Sequence, residues 1–229
     1  MKVGIIGAMA QEVVLLKEKI TDLKEWQEAG ASFYSGKIGN REVVVTQSGI
    51  GKVLAAVTTT LLISHYDVDI VINTGSAGGI GEGLKIGDLV ISDRLAYSDA
   101  DVTAFGYAYG QMAQMPLYYE ADETLAQLTA SVAREAGMTS HRGLIVSGDT
   151  FVHSQEQIAE IKGHFKDVLA NEMEGAAIAH VAYRFERPFL VIRAISDVGD
   201  EEASVNFDEF IEAAGKQSAN LVIKLLEKL

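Results

Sequence analysis

Apolar residues along this chain follow two rhythms, short unbroken runs and stretches at helical spacing, and the two alternate from one end to the other. The run Lys2–Ile6 has the character of a central strand buried on both faces. Gly7-Ala8-Met9-Ala10 turns, and Gln11–Lys19 carries Val13, Val14, Leu16 and Ile20 at the spacing of an amphipathic helix. Ala31–Lys37 and Arg41–Ser48 flank Gly39-Asn40, a hairpin signal. A helix is predicted from Lys52 to His65, a buried strand over Asp69–Thr74, a glycine-rich loop over Gly75–Gly83 and another strand over Gly87–Asp93. Arg94–Leu117 reads as a long irregular segment, unusually apolar for a loop, and loops of that length are usually functional or partner-bound. Asp122 is placed to cap a helix ending at Ala136. His141–Ser147 reads as a strand with Gly148–Val152 as its exit loop, followed by a helix over Gln155–His164. Val168–Met173 reads as extended, Pro188–Ser196 as a last buried strand ending at Asp197, and Phe207–Leu229 as a closing helix. Strands alternating with helices, plus one early hairpin, predict a three-layer α/β/α fold with a central mixed, twisted sheet flanked by helices.

The chain has only two prolines and no Pro-, Gly- or Ser-rich linker, so residues 1–229 read as a single domain. A formal net charge of −13 argues against DNA, RNA or an anionic membrane surface as partner. The absence of cysteine excludes disulfides, thiolate nucleophiles and Cys-ligated metals. The apolar start is too short for a signal peptide, Val102–Tyr119 does not resemble a membrane span, and a cytoplasmic location is expected.

Candidate chemistry centres on Ala170–His180, where Glu172 and Glu174 flank Met173 at the mouth of an alanine-rich helix. An extended backbone would send both carboxylates to one side and Met173 to the other. Carboxylates in apolar surroundings cost several kcal/mol each unless partnered, so a ligand with hydroxyls is expected here, against the alternative of a solvated acidic turn. Glu12, Ser76, Glu174 and Asp197 all fall at predicted strand exits, where open α/β sheets bind ligands. Each has a plainer alternative in isolation: Glu12 as a complement to its helix dipole, Asp197 as a turn cap. Phe151 and Val152 offer an aromatic face and free backbone groups to a flat heterocycle, although Phe151 could equally be core. The glycine-rich stretch is neither a Walker loop, since Leu84 follows Gly83, nor a dinucleotide fingerprint. No nucleophile-elbow spacing surrounds Ser76, and the five histidines lack metal-ligand spacing, so no metal and no cofactor is expected; His180 reads as a packed residue. What remains is acid–base work by carboxylates.

With those residues placed, the sequence resembles the 5′-methylthioadenosine/S-adenosylhomocysteine nucleosidases of the purine nucleoside phosphorylase-like superfamily over nearly its whole length. The resemblance is carried by Gly4–Met9 with Glu12, Ser48–Val53, Ile72–Gly78, Asp99–Tyr107, Gly143–Asp149, Glu172-Met173-Glu174 and Arg193–Asp197. It implies hydrolysis of the N9–C1′ bond of 5′-thioadenosine nucleosides, with 5′-deoxyadenosine as a further substrate. Glu12 would hold and deprotonate the attacking water, helped by Ser76 and Arg193. Asp197, oriented by Ser196, would protonate adenine N7. Glu174 would bind the ribose hydroxyls with Met173 against the sugar, and Glu172 and Gly78 would lie in the same substrate site. Phe151 would stack on the base and the Val152 backbone would read its edge. Ala8, Met9, Ile50, Val102, Phe105 and Phe207 would surround the thioalkyl tail. A homodimer is implied, with the loop carrying Phe105 and Tyr107 near the neighbouring active site. Asn171, Ser98, Thr150 and Lys166 depart from the family's usual pattern; an inward-facing Asn171 would bury an amide that needs partners.

The chemistry is consistent with that assignment. Cleaving an N-glycosidic bond leaves positive charge on the ribose and negative charge on the purine. A carboxylate ~4 Å from the cation stabilises it by about 4 kcal/mol at an effective dielectric of 20, roughly a thousandfold in rate. Asp197 must arrive carrying a proton while Glu12 must be free to accept one. Water attacking opposite the departing base resembles an inverting glycosidase. Two alternatives are a phosphate-dependent purine nucleoside phosphorylase and a non-catalytic nucleoside-binding protein on the same fold. No Lys or Arg lies between Val3 and Leu16, and Asn73 stands where phosphate-using relatives tend to carry Arg, so water is the expected nucleophile.

Overall fold

The structure, a computed structural model, describes residues 1–198 and 203–229. The opening apolar run forms β1 (Lys2–Gly7), which pairs in parallel with β4 (Arg41–Gln47) on one side and β5 (Ile70–Gly79) on the other. Its alternate residues serve different layers. Val3 and Ile5 pack with α1 (Ala10–Lys19), α3 (Glu123–Glu135) and α6 (Ala203–Lys228); Ile6 packs with α2 (Lys52–Ser64) and α5 (Gly175–Arg184). The sheet is therefore covered on both faces, as a strand without polar alternation requires. A smaller cluster seats α4 (Gln155–His164) against Leu144 and Val146 of β8 (Ser140–Ser147).

The remaining strands are β2 (Thr21–Glu28), β3 (Ala31–Ile38), β6 (Leu89–Tyr97), the short β7 (Tyr119–Glu120), β9 (Val168–Glu172) and β10 (Phe189–Asp197). The sheet is mixed and runs β10-β6-β8-β9-β5-β1-β4-β3-β2, with β7 beside β6. Because β10 also pairs with β5, the strands β5, β9, β8, β6 and β10 close into a circuit, and β1, β4, β3 and β2 extend from it as an open wing. Asp122 caps α3 by accepting from Leu125 N at 2.8 Å, as its position predicts. No helix among the described residues is long and apolar enough to cross a membrane.

Several elements differ from the pattern-based expectation. β2 is unannounced by its sequence Thr-Asp-Leu-Lys-Glu-Trp-Gln-Glu because it is an outer strand, paired only with β3 and largely exposed, so no apolar alternation is demanded of it. The predicted glycine loop is strand as far as Gly79, where β5 pairs with β10 and β9. β6 runs to Tyr97 beyond a bulge at Ser92/Arg94, which shortens the irregular segment to residues 98–118. That segment contains a single 3₁₀ turn, Thr103–Phe105, and is pinned where the Tyr109 ring stacks on His164 at 3.7 Å. In α1 the apolar stripe is narrower than its spacing suggested: Val13 and Leu16 are buried, whereas Val14 faces out. The closing helix starts at Ala203, four residues ahead of Phe207.

Candidate active site

The strand ends predicted to carry chemistry converge on one cavity of about 320 Å³. Glu12, in the first turn of α1, is buried, and each of its carboxylate oxygens is held from two sides. Oε2 accepts from Ala8 N at 2.7 Å and Met9 N at 3.0 Å; Oε1 accepts from Ser76 N at 2.9 Å and Ser76 Oγ at 3.3 Å. The carboxylate thus caps its own helix, as the plainer reading held, and also reaches across to β5. That reach depends on Gly75. A Cβ there would lie 2.5 Å from Glu12 Oε1 and 2.6 Å from Arg193 Nη1, so only glycine leaves room for both the acid and the guanidinium to lie against the strand.

Arg193, 1 % exposed, is the largest fully buried side chain. Its Nη1 donates to Ser76 O at 3.1 Å; its Nη2 donates to Asn73 Oδ1 at 2.6 Å, to Glu172, and to Glu174 Oε2 at 3.3 Å. A buried cation needs such company: burial alone would lower its pKa, and the negative charges of Glu172, Glu174 and Glu12 outweigh that and raise it.

The two central glutamates have different roles. Glu172 ends β9, and its carboxylate accepts from Ser147 Oγ, Glu174 N at 3.0 Å, Gly175 N at 2.8 Å and Arg193. It closes the N-terminus of α5 and anchors the arginine. Glu174 instead takes Gly51 N on Oε1 at 2.8 Å and shares Arg193 on Oε2. Burial pushes its pKa up to about 7; Arg193 pulls it down, and Glu172 adds to the rise. The extended backbone expected to aim both acids alike stops at Glu172, and Glu174 is the N-cap residue of α5 (φ −133°, ψ −39°). Both carboxylates nevertheless reach Arg193.

At the other end, Asp197 closes β10 and is buried, with Ser196 Oγ donating to its Oδ2 at 2.9 Å. Phe151 and Val152 line the cavity from the loop after β8, and Phe207 meets Phe151 edge-on at 5.7 Å. Ala8, Met9, Ile50, Ser76, Gly78 and Met173 complete the expected set that is gathered here. Val102, Phe105 and Tyr107 are not among the lining residues of this chain: they sit on the 98–118 segment, and Phe105 is 82 % exposed. Ala77, Thr150 and Asn171 line the cavity but were not predicted as site residues. Strand alternation sends Ala77 and Asn171 to the faces opposite Ser76 and Glu172, so periodicity offered no signal for either. Asn171 is the inward-facing amide anticipated from its departure, and its Oδ1 lacks a partner among the described residues, an arrangement that costs about 1–3 kcal/mol. His180 is half-buried, packed on Tyr119 and 3.0 Å from Tyr97 Oη through Nδ1, away from the cavity; burial lowers its pKa. Among the described residues there is no group of three or more potential metal ligands.

A buried pocket with one acid at a helix mouth, a second beside a guanidinium and a third at the far strand end is suited to separating charge between a sugar and a planar base. The model of the phosphorylase superfamily matches residues 2–227. The chain is 51% identical to the 5′-methylthioadenosine/S-adenosylhomocysteine nucleosidase of Haemophilus influenzae (strain PittEE), with the whole of both chains covered. Among solved structures it superposes with TM-score 0.98 on the corresponding enzyme of Neisseria meningitidis in complex with methylthio-immucillin-A (48% identity, covering 100% of this chain and 99% of that one). It superposes equally well, with TM-score 0.98, on the S-adenosylhomocysteine nucleosidase of Streptococcus pyogenes in complex with 5-methylthiotubericidin (46% identity, 100% and 97% covered). Fold and site thus define a nucleoside-cleaving enzyme of the phosphorylase superfamily. Within it, the chain belongs to the 5′-methylthioadenosine/S-adenosylhomocysteine nucleosidases. It is an N-ribosyl hydrolase that binds small nucleosides and releases adenine from them.

Proposed function

We propose that the cavity divides the reaction among three carboxylates. Glu12 holds the attacking water and takes its proton, with Ser76 and Arg193 fixing the acid in place. Glu174 accepts the ribose hydroxyls and sets negative charge beside the developing cation, with Met173 against the sugar. Asp197, steadied by Ser196, delivers a proton to N7 of the departing base, which lies over Gly78, stacks on Phe151 and is read by the Val152 backbone. Glu172 keeps Arg193 and Glu174 in position. The 5′-thioalkyl tail runs toward Ala8, Met9, Ile50 and Phe207, and 5′-deoxyadenosine fits the same path.

The observation that carries a water nucleophile is the state of Arg193. It is the only cationic side chain lining the cavity among the described residues, and both of its terminal nitrogens already donate to Ser76, Asn73, Glu172 and Glu174. A phosphate dianion would have to enter beside the carboxylates of Glu12, Glu172 and Glu174, which repel it. Purified protein is expected to release adenine from 5′-methylthioadenosine at the same rate with and without phosphate. Glu12→Gln should abolish release while still binding a nucleoside analogue. Adenine release that needs phosphate and yields a sugar phosphate would overturn the role given to Glu12; an intact rate in Glu12→Gln would do the same.

We also infer that residues 1–229 fold as one domain, since strands from both ends of the chain, β1 and β10, flank the same β5. A homodimer is supported by an apolar face on α2 and α5, where Val53, Leu54, Val57, Tyr183 and Phe185 are exposed. A groove beside it is lined by Ala56, Met112, Ala177 and Val181, among others. A second copy on this face would cover it and bring the loop of Val102, Phe105 and Tyr107 toward its neighbour's tail site. The cytoplasm is the compartment inferred from the sequence, and fractionation of cells expressing the chain tests it.

A further inference from the structure

One polar side chain at the base end of the cavity has no part in the scheme above. Asn171 is 6 % exposed and lines the cavity, and its Oδ1 lacks a partner among the described residues. A carboxamide buried in this way is an exception that asks for an explanation. Its position in the sheet supplies one. Asn171 pairs with Gly78 across β9 and β5, and Gly78 pairs with Asp197 across β5 and β10. Directly paired residues project to the same face of a sheet, so the amide and the acid stand on either side of Gly78, two strand spacings apart, roughly 10 Å between backbones. Gly78 puts no side chain between them; a Cβ there would already lie 3.0 Å from Asp197 Oδ1. The neighbours of Asn171 in β9, Ala170 and Glu172, turn the other way, into the apolar layer and onto Arg193.

We propose that Asn171 is a specificity-determining residue of the base subsite, and that it admits 6-oxopurine nucleosides alongside 6-aminopurine ones. The inference rests on the placement of the purine N7 at Asp197. With N7 there, the substituent at C6 projects from the same edge of the base. Once its proton has gone to N7, Asp197 presents only acceptors along that edge: a 6-amino group suits them and a 6-oxo group is repelled. Asn171 carries both characters. Its Oδ1 is enclosed, so the cavity meets the Nδ2 side, which donates to a 6-oxo group; a half-turn of the amide brings Oδ1 round to accept from a 6-amino group. A site whose buried polar group pairs with the substrate discriminates strongly against variants that leave that group unpaired. An apolar residue at this position would remove that donor and leave the 6-oxo oxygen facing the acceptors of Asp197.

The test compares base release from 5′-methylthioadenosine and from its 6-oxo counterpart, 5′-methylthioinosine, by wild type and Asn171→Val. Wild type is expected to cleave both. The ratio of kcat/KM for the 6-oxo to the 6-amino nucleoside should fall at least about tenfold in the variant, whatever happens to the 6-amino rate. An unchanged ratio, or a wild type inert toward the 6-oxo nucleoside, overturns the proposal. Inhibition of the wild type by free hypoxanthine and free adenine needs no variant: comparable inhibition supports the proposal, and inhibition by adenine alone refutes it. Asp197→Asn separates this inference from the reading beneath it. If that variant keeps full activity, the base is not placed as described. If it is inactive and the ratio is still unchanged, only the role of Asn171 fails.

Discussion

The two ends of the cavity are built by opposite means. At the sugar end, Glu12, Arg193, Ser76 and Glu172 stand on strands or helix mouths, and each carboxylate is fixed by backbone N–H groups as well as side chains. At the tail end, Ile50 comes from the connection between β4 and α2, and Phe207 from the first turns of α6. Ile50 is substantially exposed. Catalytic geometry tolerates little displacement, so groups facing developing charge belong on rigid elements. A variable apolar tail can be met by side chains on connections, which accommodate change. The difference teaches that the reaction is set by the sheet and substrate length by the loops.

The strongest way to break the rigid end is Gly75→Ala. The new methyl would contact the Glu12 carboxylate and the Arg193 guanidinium inside van der Waals range. Activity is expected to fall by about a hundredfold or more, as misplacement of reacting groups does, and overpacking should cost about 1–3 kcal/mol of stability. Steady-state kinetics and urea denaturation measure the two. A fully active Gly75→Ala would show that the close approach over β5 is dispensable.

A second prediction concerns Glu174, whose pKa burial displaces upward. Glu174 titrates near 7 in the folded chain, above its value of about 4.3 when unfolded. Between those values the native state binds the extra proton. Its stabilising contribution is therefore complete below about pH 4.3 and is lost as pH rises through about 7, by roughly 4 kcal/mol in all. Denaturation followed from pH 4 to pH 8 should show wild type losing that much more stability than Glu174→Gln. Parallel curves would place the strain elsewhere.

The mildest effect is expected at the loop end. Val53→Glu puts a charge on the exposed face of α2 and should dissociate a dimer, seen by sedimentation velocity. The remote tail site would then lose partner contacts, so KM for 5′-methylthioadenosine should rise about three- to tenfold with kcat nearly unchanged, as loss of uniform binding predicts. A variant that stays dimeric, or one that loses kcat instead, would shift weight from the loops back to the sheet.

Much of this arrangement could be read from residue order. Apolar runs located β1, β5 and β10, since strands buried on both faces have no polar alternation to obscure them. The coincidence of Glu12, Ser76, Glu174 and Asp197 at strand exits anticipated one cavity, and the cavity holds all four. Less legible were features decided by neighbours distant in sequence. Gly75–Gly79 looks like a loop until Glu12, Arg193 and Asp197 need the room that missing side chains give. Glu172 and Glu174 look equivalent by spacing, yet the end of β9 at Glu172 makes one an anchor for Arg193, while the other, as N-cap residue of α5, has a raised pKa. β2 was hidden because an outer strand can be polar throughout.

That outer strand has a consequence for behaviour in a crowded solution. With β5, β9, β8, β6 and β10 joined in a ring, β2 is the long strand left with an unpaired side. It bears Asp22, Lys24, Glu25 and Glu28, and its register slips between Thr21 and Lys24, where Asp22 adopts a φ of 55°. Charge and a local kink at a sheet margin discourage a foreign strand from adding on. The wing should therefore resist fibre growth even at high protein concentration, leaving helix-to-helix contact as the open route to assembly.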